Sequence, residues 1–532
     1  MKFDETSIKK VLHSGKSTPL FCHFTKFLTI FALFHRYAII FSLFSTFRRA
    51  NQLLFNSYVF ILCFFPIVFT GYYLLLNLKN KKIAKIFFVI CNLYFYSYWN
   101  INYLPIILSS IAINFTLAAM LNKIPRLSVK RMILTLGIFF NIGLLGYYKY
   151  SDFFLTNVNV LVKTDYPLLH LALPLAISFF TFQQIAYLVD TFREGTKEYT
   201  LLDYAFFVTF FPHLIAGPIV HHREIIDQLH DGSNYKMKMS NISSGLYIFS
   251  IGLFKKVIIA DTLAGWANLG YNNIASLTLF DSWITTLAYT FQLYFDFSGY
   301  CDMAIGLGLF FNIKLPFNFN SPYKALDIQD FWRRWHMTLG RFFTHYLYIP
   351  LGGNRKGKAR TYLNLFLIFF VSGIWHGAGW TFIIWGMMHG FAAVIHRFWT
   401  SLNLQLPKWL AWLVTFLFVH IAWVFFRSPD IPIAAAMLKK MFAFTSFHFP
   451  QGLTMFFNEH FRRHFIPAAY YFDLKLAFLF LVLLGIVLFA KNSIERLNTM
   501  RPTVSTAAFI GFIAILSLLY LNRVSEFLYF KF

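Results

Sequence analysis

Residues 362–379 read YLNLFLIFFVSGIWHGAG, eighteen positions without Asp, Glu, Lys or Arg, in which His376 is the only group that titrates near neutral pH. A run of this length approaches the roughly 20 apolar residues that cross about 30 Å of hydrocarbon. In lipid each backbone amide has to be satisfied within its own segment, so the run is expected to be an α-helix. Comparable runs lie on both sides of it. Upstream they are Ser57–Asn77, Ile83–Trp99, Tyr103–Leu121, Met132–Tyr148, Leu168–Val189, Tyr204–Val220, Ile242–Ala260 and Trp283–Phe295. Downstream they are Trp409–Phe426, Leu474–Ala490 and Val504–Leu521. The pattern predicts an all-α, polytopic membrane protein of roughly 11–13 spans.

Composition agrees with that reading. Of the 532 residues, 58% are hydrophobic and 13% charged, whereas a soluble protein is about half apolar and about a quarter charged. The formal net charge is +25. Lys and Arg concentrate in short loops between apolar runs, at Lys79–Lys85, Lys123–Arg131 and Arg355–Arg360. Such loops are expected in the cytoplasm and against anionic lipid, so no nucleic-acid partner is implied. Cys22, Cys63, Cys91 and Cys301 are far apart and form no C-x-x-C, which argues against a disulfide framework or a zinc site.

Residues 1–52 are set apart from the rest. They form a basic extension whose apolar part, Phe27–Phe47, is interrupted by His35 and Arg36. The stretch reads as an interfacial helix or extra anchor, and residues 53–532 as one membrane domain. Phe444–Tyr470 reads as an aqueous loop. In FFPHLIAGPIV (Phe210–Val220) two prolines and a glycine break helix geometry. Irregular backbone at membrane depth has to be buried in protein or line a cavity, and a cavity is expected here.

The densest chemistry lies in Tyr289–Gly390. An ionisable group inside a span is costly and marks a functional position by default, which singles out His376. A neutral imidazole can take a proton from a hydroxyl and return it to a leaving group. Gly377 and Gly379 beside it remove bulk that would obstruct a substrate. The alternative is a packing histidine bonded to a backbone carbonyl. In Asp330-Phe-Trp-Arg-Arg-Trp-His, a continuous helix would place Trp332, Trp335 and His336 on one face, with Arg333 and Arg334 partly aside. That cluster reads either as an interfacial anchor or as the polar mouth of a cavity. Asp296 and Asp302 flank Ser298-Gly299, and Asp296 is expected to pair with an Arg or to bind backbone amides. His213 and His389 are candidate cavity liners. The glycines of GGNRKGK (Gly352–Lys358) lack P-loop spacing and read as a turn. The histidines show no short metal-ligand spacing, so no metal is expected.

The chain resembles the membrane-bound O-acyltransferases, specifically the bacterial branch typified by the alginate O-acetylase membrane subunit. The resemblance rests on ISFFTFQQIAYLVDTFR (Ile177–Arg193), FFPHLIAGPIVHH (Phe210–His222), IGLFKKVIIADTLA (Ile251–Ala264) and YFDFSGYCDMAIGLGLFF (Tyr294–Phe311). It continues through LPFNFNSPYKALDIQDFWRRWHMTLGRF (Leu315–Phe342), YLYIPLGGNRKG (Tyr346–Gly357) and SGIWHGAGWTFIIWGMMHG (Ser372–Gly390). It extends from about Leu53 to the closing FLYFKF.

The resemblance implies a waisted multi-helix fold with a catalytic histidine deep in a funnel. The family's near-invariant histidine falls on His376, and a position that is histidine or asparagine in the family falls on His336. Trp335, Trp375 and Trp380 would shape the tunnel. The implied activity is O-acyl transfer, most simply of acetyl, to a hydroxyl of an exopolysaccharide or other envelope polymer, as in alginate O-acetylation. No tightly bound cofactor is implied. The donor would be a cytoplasmic thioester, acetyl-CoA or an acyl carrier protein, and a periplasmic acetylation partner would complete the transfer in one arrangement. The expected location is the bacterial inner membrane. Thr344 and His345 depart from the Arg-Asp usual before YLYIP, which leaves Arg341 without an obvious neighbour. Two rival readings are a transporter or flippase of a polysaccharide precursor, against which the absence of a visible inverted repeat counts, and a membrane scaffold for a polysaccharide export complex, which leaves two histidines in such settings unexplained.

Overall fold

The computed structural model describes residues 53–78, 80–195, 199–443, 474–521 and 528, with 474–477 traced as backbone only. The basic extension 1–52, the Phe444–Tyr470 loop and most of FLYFKF lie outside the described residues. Every regular element described is helical. In chain order these are α1 Phe65–Asn77, α2 Lys81–Ser97, α3 Leu104–Lys123, α4 Leu127–Leu145, α5 Ser151–Val162, α6 Ile177–Glu194 and α7 Leu201–Thr209. Next come α8 Phe211–Leu214, α9 His222–His230, α10 Met239–Phe254, α11 Asp261–Asn272, α12 Leu279–Phe310, α13 Ile328–Arg334 and α14 Met337–Phe343. The series closes with α15 Lys358–His376, α16 Trp380–Ser401, α17 Lys408–Arg427, α18 Ile431–Met441, α19 Leu474–Phe489, α20 Ser493–Asn498 and α21 Val504–Leu519. Single π turns precede α1, join α4 to α5 (Gly146–Tyr150) and α10 to α11 (Lys255–Ala260), and follow α14 (Thr344–Tyr348).

Among the described residues, five continuous helices are long and apolar enough to cross a bilayer: Phe60–Asn77, Ile101–Lys123, Leu127–Val162, Met239–Asn272 and Lys408–Arg427. Several other apolar runs differ from the simple spans expected of them. Leu168–Val189 becomes helical only at Ile177, and Tyr204–Val220 breaks at Phe210, whose backbone turns to φ −52, ψ 102. The broken segment does not line an open cavity. Phe210–Val220 is buried throughout, and its irregular backbone is served by α14. Thr338 Oγ1 accepts the Ile219 N–H at 2.9 Å, and Arg341 donates to the Ile219 carbonyl at 3.2 Å. Burial in protein, not an open cavity, thus accommodates the irregular backbone here.

Trp283–Phe295 lies within, and mostly in the first half of, the much longer α12. From Ala288 to Phe310 every residue of α12 is buried, so this part of the helix faces protein on all sides. Its start is a reciprocal cap, Thr278 with Asp281, and its end is closed by Asn312 at φ 59 with Ile313 N–H bonded to Gly308 O at 2.9 Å. A buried helix cannot leave its polar groups to solvent. Asp296 accordingly pairs with Lys256 at 2.6 Å, not with an Arg, and also accepts the Leu528 N–H; Asp302 pairs with Lys255 at 2.7 Å and accepts from Ser493. Both lysines come from the π turn between α10 and α11. Elsewhere amides bind helix to helix: Asn141 Nδ2 donates to Asn114 Oδ1 at 2.7 Å, and Asn114 and Ser110 both donate to Gln184 Oε1, joining α3, α4 and α6.

Candidate active site

His376 is the last residue of α15, and Gly377 continues in extended conformation at φ −159. Its ring is boxed by aromatics, with centroids 4.9 Å from Trp375, 5.1 Å from Trp385 and 5.2 Å from Phe426. The glycine after it does not open the site to substrate. A Cβ at Gly377 would fall 2.2 Å from the Phe382 ring, so the missing side chain lets the start of α16 fold back over α15. Two side chains of the α4–α5 π turn hold the helix end. Lys149 Nζ donates to Trp375 O at 2.6 Å and His376 O at 3.1 Å, and Tyr150 Oη donates to Ile374 O at 2.6 Å.

His336 does not continue the helix of Trp332. α13 ends at Arg334, Trp335 is extended, and His336 takes the left-handed conformation at φ 45, ψ 51 before α14 begins. That conformation is uncommon outside glycine and needs support from its surroundings. The 312–327 connection supplies it. Met337 N–H bonds Asn318 O at 3.0 Å and Asn320 N–H bonds Arg334 O at 2.9 Å, which clamps both sides of the break. Asn318 Oδ1 accepts from Thr338 N at 3.1 Å and Thr338 Oγ1 at 2.8 Å, and lies 3.3 Å from His336 Nδ1. An oxygen on the amide side requires a proton on Nδ1, so in the neutral ring Nε2 is the basic nitrogen. Phe297 meets the His336 ring edge-on at 4.8 Å, and Trp375 stands next to both histidines, 6.4 Å from His336 by centroid.

The other candidates divide. Trp335 is buried, 5.0 Å from Trp423 and parallel to Phe331. Trp375 also stacks on Phe182 at 4.9 Å. Trp380 is not brought to the pair: it is 53% exposed and donates to Asn157 at 3.0 Å. His389 is buried against Trp385 and accepts from Trp332 Nε1 at 3.2 Å, and His213 is bonded to Gln183 at 3.0 Å. Arg334 is taken up by Asp330 at 2.9 Å, whereas Arg333 points into a cleft.

That cleft has a volume of about 790 Å³. It follows α15 from Thr361 to Ser372, ends one helical turn before His376, and reaches Met337 and Thr338 beside His336. Leu365, Ile368, Phe369 and Phe343 make its walls apolar, while Arg333, Arg341, His396 and Arg397 give it a basic rim. Arg341 does have a partner: Glu224 accepts two bonds from it, at 2.5 and 2.8 Å.

A family model describing MBOAT, the membrane-bound O-acyltransferase family, matches residues 46–428. The chain belongs to this family. It is therefore a multi-pass membrane O-acyltransferase, and the transporter and scaffold readings fall away. Among its relatives, the "Peptidoglycan O-acetyltransferase" of Helicobacter pylori is 51% identical over 423 residues, covering 74% of this chain and 80% of the relative. The "Probable alginate O-acetylase AlgI" of Pseudomonas aeruginosa is 38% identical over 399 residues, covering 74% and 75%. A "Teichoic acid D-alanyltransferase" of Bacillus subtilis is 27% identical over 245 residues, covering 44% and 62%.

Within this acyltransferase the structure adds residues that sequence reasoning passed over. Asn318 orients His336, Trp385 and Trp423 wall the site, and Lys149 and Tyr150 close the His376 helix. Lys149 carried a readable signal, an ionisable side chain next to an apolar run. The apolar run Met132–Tyr148 stops one residue short of it. Asn318 carried no such signal, because its role depends on a left-handed residue eighteen positions away.

Proposed function

We propose that this O-acyltransferase takes an acetyl group from a cytoplasmic thioester and passes it to a hydroxyl of an envelope polysaccharide, with peptidoglycan as the favoured acceptor. The single observation that carries the reading is the cleft. It leads from the basic start of α15 to within a turn of His376 and alongside His336, apolar in its walls and cationic at its rim. The positive-inside rule puts Arg355–Arg360, and so the cleft mouth, on the cytoplasmic face of the inner membrane. Acetyl-CoA, or the phosphopantetheine arm of a carrier protein, matches such a cleft: phosphate for Arg333 and Arg397, a slender arm for the apolar walls. Peptidoglycan is favoured over alginate because the relative bearing that activity is 51% identical, against 38% for the alginate enzyme.

In the reaction, the acceptor oxygen attacks the thioester carbonyl as His376 removes its proton. The tetrahedral intermediate then collapses, the carbon–sulfur bond breaks, and the proton passes to the departing thiolate. His336, with Nε2 basic, assists at the same centre. The acceptor is either the polymer itself or a periplasmic partner that completes the transfer.

Replacing Arg333 and Arg397 by Glu is expected to raise the KM for acetyl-CoA about tenfold or more, with little change in kcat, because the rim binds donor equally in ground and transition states. Inverted membrane vesicles, which expose the cytoplasmic face, should incorporate labelled acetyl into polymer, and right-side-out vesicles should not. Equal incorporation by both vesicle types, or an unchanged KM in the double variant, would refute the donor-cleft reading.

A further inference from the structure

Lys149 is a partly buried cation bonded to the end of the His376 helix. It lies within Leu127–Val162, one of the apolar helices able to cross a bilayer, and among the described residues it makes no ion pair. A charge in such a place is costly and marks a functional position by default. Its ammonium protons are directed at Trp375 O, 2.6 Å away, His376 O, 3.1 Å away, and Ser178 Oγ on α6, 3.3 Å away.

The end of α15 explains the need for these bonds. The last carbonyls of a helix have no partner inside it. A glycine after a helix commonly turns left-handed and brings its own amides back to those carbonyls. Gly377 does not: it is extended, because the chain has to leave directly for α16. The open carbonyls of residues 374, 375 and 376 are instead met by two neighbouring side chains, Tyr150 and Lys149. A positive charge at a helix C-terminus is also favoured by the helix dipole. The π turn at Gly146–Tyr150 is the local device that turns both side chains toward α15, in keeping with the frequent use of such turns at functional sites.

We infer that Lys149 is a positioning residue for His376. By binding the carbonyl of His376 itself and that of the residue before it, the ammonium fixes the backbone from which the imidazole projects and holds α15, α6 and the π turn in one arrangement. This rests on His376 acting as the proton-accepting group proposed above. Lys149 touches no reacting atom in this scheme; its effect on rate passes through the histidine. A displacement of about 1 Å at a catalytic group costs on the order of 10²-fold in rate.

The test uses the full chain in inverted vesicles, with labelled acetyl-CoA as probe and rates normalised to enzyme by immunoblot. Lys149→Met keeps the length of the side chain and removes its donors. It is expected to lower kcat roughly 10–100-fold while the KM for acetyl-CoA stays within about twofold. Lys149→Arg, which keeps donors and charge, should recover a third or more of the wild-type kcat. Tyr150→Phe, which frees only the Ile374 carbonyl, should cost less than Lys149→Met. Melting of each purified variant in detergent separates misplacement from unfolding. If Lys149→Met does not accumulate, Lys149→Leu, which also lacks donors, takes its place, and the comparison with Lys149→Arg still decides. Wild-type kcat in Lys149→Met or Lys149→Leu overturns the inference. So does a loss of activity matched by an equal loss of folded enzyme in both Lys149→Arg and the donor-less variant. Full activity of His376→Ala would instead remove the underlying assignment of the base, and an unchanged KM in the Arg333 and Arg397 double variant would remove only the donor cleft.

Discussion

His376→Ala is expected to abolish detectable acetylation of the surface polymer while the protein accumulates and inserts normally. A histidine general base contributes about 10²–10⁴-fold to rate, and its loss leaves only the basal reaction. Insertion should survive because removing an imidazole makes α15 more apolar. His336 offers a graded comparison. At φ 45, ψ 51 any residue with a Cβ is strained, by roughly 1–2 kcal/mol, and histidine enters this region more readily than alanine. His336→Ala therefore loses both the ring and some stability of the break between α13 and α14. Asparagine tolerates the left-handed region better, so His336→Asn should keep the local fold and some activity, in line with the asparagine that family resemblance implies at this place. His345→Ala should matter far less, since its side chain is exposed and its carbonyl, which meets Arg193, is retained. The measurement is polymer-bound O-acetyl in a deletion strain carrying each variant, with immunoblots of membranes. Wild-type acetylation in His376→Ala would sink the assignment of the base.

The two histidines stand out in the sequence because each breaks an apolar or aromatic run, and breaking such a run in a membrane has a cost that needs a reason. The same logic read the all-helical class from the apolar runs. The shared face of Trp332, Trp335 and His336 holds only for a continuous helix, and the chain does not continue one there. The residue spacing there fits a helical face, and nothing local announces that the chain turns left-handed at His336. The deciding partners, Asn318 and Asn320, sit on a separate connection. Arg341 looked unpartnered for a related reason: Glu224 lies 117 residues away, beyond the reach of any spacing rule. Gly377 illustrates the opposite error. Sequence shows that bulk is missing but not what fills the space, and here the occupant is Phe382. The alternation of apolar runs with basic loops also overstates simple crossings. From Ala288 onward α12 is apolar yet enclosed by protein, and its Asp296 and Asp302 pair with lysines of the π turn between α10 and α11.

Gly252→Leu should be among the most damaging substitutions for stability, although Gly252 lies outside the reacting centre. α10 and α12 touch backbone to backbone at two places. A Cβ at Gly245 would meet Gly306 O at 2.9 Å, and one at Gly252 would meet Gly299 O at 2.5 Å and Met303 N at 2.7 Å. None of these neighbours is a flexible side chain, so a leucine can be admitted only by moving the helices apart. Small residues at such crossings are what allow membrane helices to approach closely, and overpacking alone costs about 1–3 kcal/mol. The separation would cost more here. The Lys255–Asp302 and Lys256–Asp296 pairs tie the π turn directly after α10 to α12, at 2.7 and 2.6 Å, and Lys256 and Asp296 are each 1% exposed. Leaving a buried charge without its partner costs roughly 3–5 kcal/mol, comparable to a large share of the total stability of a protein. Gly252→Leu is therefore expected to lower the amount of folded enzyme in membranes severalfold and to reduce its melting temperature in detergent. Gly265→Leu on α11 is the control, since a Cβ there has nothing within 4 Å. Equal accumulation and melting of the two variants would show that the α10–α12 contact yields more easily than its geometry requires.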